Sequence, residues 1–242
     1  MSKSTKERAA ARKVVQQQLA RERRRTVTLW TTVGVVAVLV IAGLIGWGVA
    51  SGQEDDKTAN LTTPTVAVDD GTAFAVGTGP VTVDIYEDFM CPHCEEFETS
   101  AATTIDQLVT AKKVTVRYHP IAILDRASST EYSTRSAAAS AAAAQGGKFA
   151  EYHKALFANQ PEEGSAGLDD AKLIELGQSV GLTDAAFSDA VNKGTYDAWA
   201  TKVTDTASSR GVSSTPTVMV GGKALESPTA AALTAAVEAA TA

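Results

Sequence analysis

The feature that most constrains this chain is a pair of cysteines, three positions apart, in the run Cys91-Pro92-His93-Cys94. No other cysteine occurs among the 242 residues. The preceding segment, 81–86, alternates between apolar and polar residues and predicts a strand, whereas residues 92–111 predict a helix. The sequence therefore predicts that the cysteine pair lies where a strand leads into a helix.

Three uses of such a pair are possible. A structural disulfide normally joins distant segments, and a loop this small gains little stability from closure. A zinc site would need two further ligands, which would have to come from His93, His119, His153 or carboxylates, none at a familiar spacing. The spacing therefore favours redox chemistry, with a structural disulfide or a zinc site as the alternatives.

The residues within the motif predict different roles for the two cysteines. Pro92 suits the first position of a helix, where its missing N–H costs nothing, so Cys91 is expected at the helix start. Free N–H groups and the helix dipole there stabilise a Cys91 thiolate, and His93 adds a donor or a positive charge. A stabilised thiolate makes the disulfide a stronger oxidant. Cys94, one turn into the helix, is expected to be buried and to act as the resolving thiol.

The N-terminal 50 residues predict a membrane anchor. Residues 1–25 contain nine Lys or Arg and two acidic residues, and no charged residue occurs in 26–50. About 20 apolar residues cross a bilayer as a helix, and Trp30 and Trp47 lie near the two ends, as interfacial tryptophans do. The positive-inside rule then predicts a single-pass helix at 26–50, a cytoplasmic tail at 1–25 and an extracytoplasmic remainder in contact with membrane lipid.

A cleaved signal peptide is the alternative, since Gly48-Val49-Ala50 resembles a cleavage site. The apolar core of a signal peptide is only about 7–15 residues long, so the length of this run favours a retained anchor.

Residues 26–242 contain 13 basic and 26 acidic residues. This acidic part of the chain would repel the phosphate groups of a nucleic acid, which excludes nucleic acid as the main partner.

The remaining pattern predicts a polar linker at 51–64 and one domain at 65–242. Strands are expected at 81–86, 114–118, 217–220 and 223–225, with helices at 92–111 and from 228 onward. Between the second and third strands, helical periodicity continues to position 208 with breaks at glycine and proline positions. This order predicts an α/β fold in which a helical insertion, at about 125–208, interrupts a small sheet.

Two segments resemble one known family. The run 89–97 (FMCPHCEEF) and the run 211–217 (GVSSTPT) are similar to the two signatures of the DsbA-like branch of the thioredoxin superfamily, in its membrane-anchored bacterial type. The resemblance implies a thioredoxin-like core with a helical insertion, no cofactor and no bound metal. It also implies that Cys91 is the nucleophile and Cys94 the resolving cysteine. Thr215 and a cis Pro216 would lie against the disulfide and bind extended substrates.

One position departs from the family pattern. A buried acid often lies on the first core strand, six residues before the nucleophile, and helps proton transfer from the resolving cysteine; here that position is Ile85. Glu87 and Asp88 are candidate substitutes for this proton relay, or else carboxylates in a solvated loop. His119 and His153 are expected to have ordinary packing or surface roles.

The resulting hypothesis is an oxidase that donates the Cys91–Cys94 disulfide to reduced secreted or membrane proteins. A membrane redox partner, quinone-linked in this family, would reoxidise it. The alternatives are a reductase or isomerase kept reduced by a membrane electron donor, and a non-catalytic binding or chaperone domain. The absence of a recognisable dimerisation domain before residue 65 favours the oxidase over an isomerase. The intact pair together with Pro216 argues against a purely binding role.

Overall fold

A five-stranded mixed sheet forms the centre of the protein, whose computed structural model describes residues 61–241. The strands are β1 (Phe74–Gly77), β2 (Val81–Glu87), β3 (Val114–Pro120), β4 (Thr217–Val220) and β5 (Lys223–Ala224). Their order in the sheet is β1-β3-β2-β4-β5. Only β2 and β3 pair in parallel, and the other neighbours are antiparallel. The central strand β2 therefore directs its carboxyl end toward the same edge of the sheet as β3.

Helices surround this sheet and also form the insertion. They are α1 (Pro92–Thr110), α2 (Tyr132–Gln145), α3 (Phe149–Ala158), α4 (Asp170–Ser179), α5 (Ala185–Asn192), α6 (Asp197–Ser209) and α7 (Ala230–Thr241). A short 3₁₀ turn at Asp125–Ala127 precedes α2. Helices α1 and α7 pack on each other and on the sheet, and α6 packs against β3. The elements from the 3₁₀ turn to α6 all lie between β3 and β4, which confirms the predicted helical insertion.

The alanine-rich helix α2 is the core of the insertion. Its residues 136–144 are all buried, and Ala137, Ala141 and Ala143 have no exposed surface. Side chains this small let neighbouring helices approach closely on every side. Accordingly, α2 contacts α3, α4, α5 and α6. The run of alanines therefore serves close helix packing.

The sequence prediction missed β1 and ended two other strands early. Strand β1 has four residues and pairs with β3 at the sheet edge, so it is too short to show an alternating pattern. It ends at Gly77, where φ is +90° and an added Cβ would lie 2.7 Å from the Val114 carbonyl oxygen. Strand β3 runs two residues beyond its predicted end, to Pro120, and β2 runs one residue further, to Glu87. The extension of β2 determines where Glu87 lies.

The predicted N-terminal segments lie outside the described residues. These are the cytoplasmic tail at 1–25, the membrane helix at 26–50 and the first ten residues of the linker, 51–60. Among residues 61–241, no helix has both the length and the apolar character that crossing a membrane requires. The three segments therefore stay predictions.

Candidate active site

Cys91 lies at the N-terminus of α1, directly after the loop that follows β2. It is the N-cap residue, with extended backbone angles (φ −80°, ψ 116°), and Pro92 occupies the first helical position. The N–H of Cys94 donates to the Cys91 carbonyl oxygen at 3.0 Å, which begins the helix. The sulfur atom of Cys91 is thus near the positive end of the helix dipole.

The surroundings of Cys91 stabilise its thiolate. The pKa of Cys91 is lowered to about 5, and the largest influence is a hydrogen bond from Cys94. Burial opposes this shift, whereas Thr215 and the backbone N–H groups of Cys94 and His93 contribute to it. At neutral pH the reduced protein therefore carries a Cys91 thiolate, the form that attacks disulfides.

Cys94 has the opposite environment. It is 1% exposed, against 6% for Cys91. Burial raises the pKa of the Cys94 thiol, and its hydrogen bond to Cys91 and the negative charge of Cys91 raise it further. Cys94 therefore keeps its proton while Cys91 is ionised, and the two thiols are chemically distinct.

The loop before β4 lies against the nucleophile. Strand β4 is antiparallel to β2, with Thr217 paired to Tyr86, so the loop ends beside the carboxyl end of β2. The Thr215–Pro216 peptide bond is cis, as the family resemblance implied. The Cys91 sulfur lies 3.5 Å from the Thr215 carbonyl oxygen. An open cavity of about 440 Å³ borders this loop and is lined in part by His93, Phe97, Pro216 and Pro228.

The imidazole of His93 lies at the surface. Its side chain is 76% exposed, and Nδ1 is 3.1 Å from a Glu96 carboxylate oxygen. That hydrogen bond raises the pKa of His93, and the charges of Glu96 and Cys91 add to the effect. Among the groups that lower the pKa of Cys91, His93 contributes its backbone N–H.

Glu87 and Asp88, the candidate proton relay, are both buried. Their exposures are 1% and 0%, so the alternative of solvated loop carboxylates is wrong. The reason is the helical insertion, which covers the end of β2: His153 of α3 contacts Glu87, and Ser133 of α2 contacts Asp88. The structure thus places two acids directly behind the active-site loop, whereas Ile85 is a fully buried apolar residue of the core.

Asp88 organises the loop that leads to Cys91. Its carboxylate accepts hydrogen bonds from the Met90 N–H at 2.9 Å, the Ser133 hydroxyl at 2.7 Å and the Leu124 N–H at 3.0 Å. Burial raises the pKa of Asp88 to about 6, although these hydrogen bonds oppose the shift. Asp88 therefore holds the backbone beside the nucleophile against the segment after β3 and against helix α2.

Glu87 belongs to a second buried group that includes Glu98 and His153. The His153 Nε2 lies 2.6 Å from Glu87 Oε1, and its Nδ1 lies 3.9 Å from Glu98 Oε2. One potential metal-ligand atom from each residue lies within 4.8 Å of the other two. Among residues 61–241, these three residues form the one group of His, Cys, Asp or Glu side chains close enough together to hold a metal ion. A hydrogen bond thus joins His153 to Glu87, whereas the second ring nitrogen of His153 lies beyond hydrogen-bond distance of Glu98.

Sequence reasoning missed Gln160 and Glu98. The Gln160 side-chain amide donates to the Phe89 and Cys91 carbonyl oxygens at 3.1 and 3.0 Å. No local pattern marks Gln160, because its partners lie about 70 positions away in the sequence. Glu98 had a detectable signal, since it follows Cys94 by four positions and so lies on the same helix face. The buried His119 bonds to Asp84 and to the Thr72 carbonyl, a packing role as predicted.

Comparison with known proteins identifies the fold and the branch. A thioredoxin family model matches residues 70–239. The chain belongs to the thioredoxin family. Reduced DsbG of Mycobacterium tuberculosis, a disulfide bond oxidoreductase, is 36% identical and superposes with a TM-score of 0.63, covering 71% of this chain and 88% of that one. Reduced DsbA of the same organism is 35% identical with a TM-score of 0.61, covering 69% and 91%.

These matches confirm the predicted DsbA-like branch and the predicted enzyme class, a protein disulfide oxidoreductase. MdbA of Actinomyces oris, a thiol-disulfide oxidoreductase, shares 23% identity over 76% of this chain and 92% of its own, with a TM-score of 0.61, and supports the fold. The serine/threonine-protein kinase PknE of M. tuberculosis is 36% identical over 164 residues, 64% of this chain. The chain spans 29% of the length of PknE.

Proposed function

We propose that this protein is an extracytoplasmic oxidase that donates the Cys91–Cys94 disulfide to reduced secreted or membrane proteins. The observation that carries the proposal is the opposite shift of the two thiols, with the pKa of Cys91 lowered to about 5 and that of Cys94 raised. Stabilising the Cys91 thiolate favours the reduced form. A disulfide whose reduced form is stabilised is a strong oxidant.

The exchange proceeds through two displacements. A substrate thiolate attacks the Cys91 sulfur, which breaks the Cys91–Cys94 bond and releases Cys94 as a thiolate that takes up a proton. A second substrate thiolate then attacks the substrate sulfur of the mixed disulfide. Cys91 leaves as its stabilised thiolate, and low-pKa thiols leave faster. The substrate is oxidised by two electrons and the cysteine pair is reduced by two.

Substrate binding involves the loop at Thr215 and Pro216. Both residues are partly exposed, and they border the cavity that His93 and Phe97 also line. An extended substrate chain laid along this loop places its cysteine beside Cys91. The loop therefore binds unfolded substrate proteins. The exchange uses no cofactor.

The location of the reaction follows from the N-terminal sequence. Residues 26–50 anchor the protein in the membrane, with 1–25 in the cytoplasm and the catalytic domain outside. The basic cluster before an uncharged apolar run supports this orientation. A membrane redox partner linked to quinones reoxidises Cys91 and Cys94. Protease added to intact cells should remove the domain and leave the tail, whereas resistance of the domain would place it inside.

The redox potential tests the direction of exchange. Equilibration with glutathione, followed by alkylation and mass analysis, gives the potential of the pair. A value above roughly −150 mV is expected for an oxidase, and a value near the thioredoxin potential of about −270 mV would instead establish a reductase. Failure of the wild type to exchange disulfides at all would leave only a binding or chaperone function.

A further inference from the structure

The surface beside Cys91 contains glutamates from three segments of the chain, and none of these segments contains Lys or Arg. They are the active-site loop with α1 (88–111), the insertion segment 155–171 and the C-terminal segment 224–242. Five of their glutamates are wholly or partly exposed and lie toward the active site; we call them the acidic rim. The acidic rim consists of Glu95, Glu96, Glu162, Glu163 and Glu226.

Helix α1 contributes two glutamates next to the nucleophile. Glu95 follows Cys91 by one helical turn, and its N–H donates to the Cys91 carbonyl oxygen at 3.3 Å. Residues at this spacing lie on the same helix face. The side chain of Glu96 is 70% exposed and lies 3.1 Å from His93. The first turn of α1 therefore presents negative charge beside the Cys91 sulfur.

The helical insertion contributes two more. Glu162 and Glu163 are exposed and closely follow Gln160, whose amide donates to the Cys91 carbonyl oxygen at 3.0 Å. The negative charge of Glu163 helps to raise the pKa of His93, so this glutamate acts on the active-site surface. The insertion thus brings a second pair of carboxylates close to the nucleophile.

Glu226 completes the acidic rim from the segment after β5. The Leu225 N–H donates to the Val218 carbonyl oxygen, so the chain after β5 returns toward the start of β4. Glu226 is exposed, and Pro228 borders the open cavity of about 440 Å³ that Thr215 and Pro216 also line. This cavity is where a substrate chain approaches Cys91.

The imidazole of His93 lies among these charges. Its pKa is raised by the hydrogen bond to Glu96 and by the negative charges of Glu96, Cys91 and Glu163. A cleft lined by one sign of charge raises the local concentration of substrates of the opposite sign. A positive group that approaches Cys91 is therefore attracted, and a negative one is repelled.

We propose that the acidic rim makes this active site selective for cationic substrates, so that proteins with Lys or Arg beside their cysteines exchange fastest. Their ammonium and guanidinium groups pair with glutamates of the rim while the extended chain lies against Thr215 and Pro216. Because these pairs are exposed to solvent, they act on the encounter with the substrate, and salt weakens them. The inference rests on the proposed function and holds for exchange in either direction.

Small disulfides of opposite charge measure the preference. Cystamine is positive at both ends, and dithiodiglycolate is negative at both ends. Each oxidises the reduced protein by two electrons: the Cys91 thiolate attacks a reagent sulfur and releases one thiol, and Cys94 then attacks the Cys91 sulfur and releases the second. Loss of the Cys91 thiolate absorbance in stopped flow gives the rate. Division by the rate with 2-mercaptoethanol thiolate removes the intrinsic difference between the reagents.

At low ionic strength, the normalised rate with cystamine should exceed that with dithiodiglycolate by roughly tenfold or more. The ratio should fall toward one in 1 M salt, where the screening length is only about 3 Å. Replacing both insertion glutamates, Glu162→Gln with Glu163→Gln, should lower the ratio by roughly threefold at low salt, as expected for two exposed charges. Any change that these substitutions cause in the reactivity of Cys91 affects both reagents and cancels in the ratio.

Glu175→Gln with Glu238→Gln is the matched control, since both glutamates are exposed but lie on α4 and α7 outside the acidic rim. This double variant should keep the wild-type ratio. A normalised ratio near one at low salt, or an equal fall in the two double variants, overturns the inference. Neutral hydroxyethyl disulfide separates the two proposals: if it oxidises the protein normally in those cases, the proposed function stands. Failure of all three reagents to oxidise the protein would contradict both.

Discussion

Gln160 donates from its side-chain nitrogen to the carbonyl oxygen of Cys91 at 3.0 Å. The same nitrogen donates to the Phe89 carbonyl oxygen at 3.1 Å. Gln160 follows α3 within the helical insertion, whereas Phe89 and Cys91 belong to the thioredoxin core. One insertion side chain therefore fixes the loop from which the nucleophile extends.

Gln160→Ala should destabilise the protein by about 1–2 kcal/mol, because two partly buried carbonyl groups lose their donor. Urea unfolding of the reduced protein measures the change. The exposed Gln178, on α4, is the matched control, and Gln178→Ala should stay within about 0.5 kcal/mol of the wild type. Equal losses of stability in both variants would show that the hydrogen bonds of the Gln160 amide do not stabilise the active-site loop.

The stability of the reduced protein should depend on pH through Cys91. Its folded pKa of about 5 lies below the ordinary value of 9.0. A lowered pKa gives stability that is complete above the unfolded value and is lost as pH falls through the folded value. Between pH 5 and 7 the reduced form should therefore gain about 1–2 kcal/mol, allowing for solvent screening.

Cys91→Ser provides the control for this pH dependence, since it has no thiolate at position 91. Urea unfolding at pH 5, 6 and 7 should show the gain in the reduced wild type relative to the variant. The Cys91 thiolate absorbance should titrate with a midpoint near 5. A midpoint of 8 or above, together with parallel stability curves, would show that the helix N-terminus does not activate this thiol.

The two cysteines should differ in trapping substrates. Cys94→Ser leaves the nucleophile without its resolving thiol, so mixed disulfides with secreted proteins should accumulate in non-reducing gels. Cys91→Ser should trap few or none, because Cys94 is buried and its thiol keeps its proton. Equal trapping by both variants would contradict the assignment of Cys91 as the nucleophile and Cys94 as the resolving cysteine.

The sequence predicted the parts of the fold that depend on neighbouring residues. Alternation defined β2 to within one residue and β4 in full, and Pro92 marked the start of α1. These signals are local, since they come from side-chain period and from the geometry of proline. The order of strands and helices predicted the insertion, and the two signature runs then identified the family.

The burial of the acids could not be predicted in the same way. Glu87 and His153 are 66 positions apart, so no local pattern links them. Only the packing of α3 over the end of β2 brings them together. The same holds for Asp88 and Ser133, which are 45 positions apart. Polar side chains that meet across an insertion have no periodic signal.

Arg117 forms ion pairs with Asp84 and Asp69. From β3 its guanidinium donates to Asp84 at 2.6 and 2.9 Å and to Asp69 at 2.7 Å. Asp84 on β2 is 4% exposed. Although burial would raise the pKa of Asp84, hydrogen bonds from His119 and Arg117 hold it below its ordinary value. The stability from these contacts is therefore present near neutral pH and is lost as the solution becomes acidic.

Arg117→Met should cost about 2–4 kcal/mol at pH 7, because it leaves a buried carboxylate short of a partner. The loss should shrink as the solution is made acidic, because protonation of Asp84 removes the charge that Arg117 pairs with. Lys193→Met is the control: the Lys193–Asp189 pair has a similar 2.8 Å distance, but its side chains are 68% and 60% exposed. An exposed pair of this kind contributes less than about 0.5 kcal/mol. Equal losses of stability in the two variants, or a loss that does not depend on pH, would show that the ion pairs of Arg117 do not stabilise the sheet.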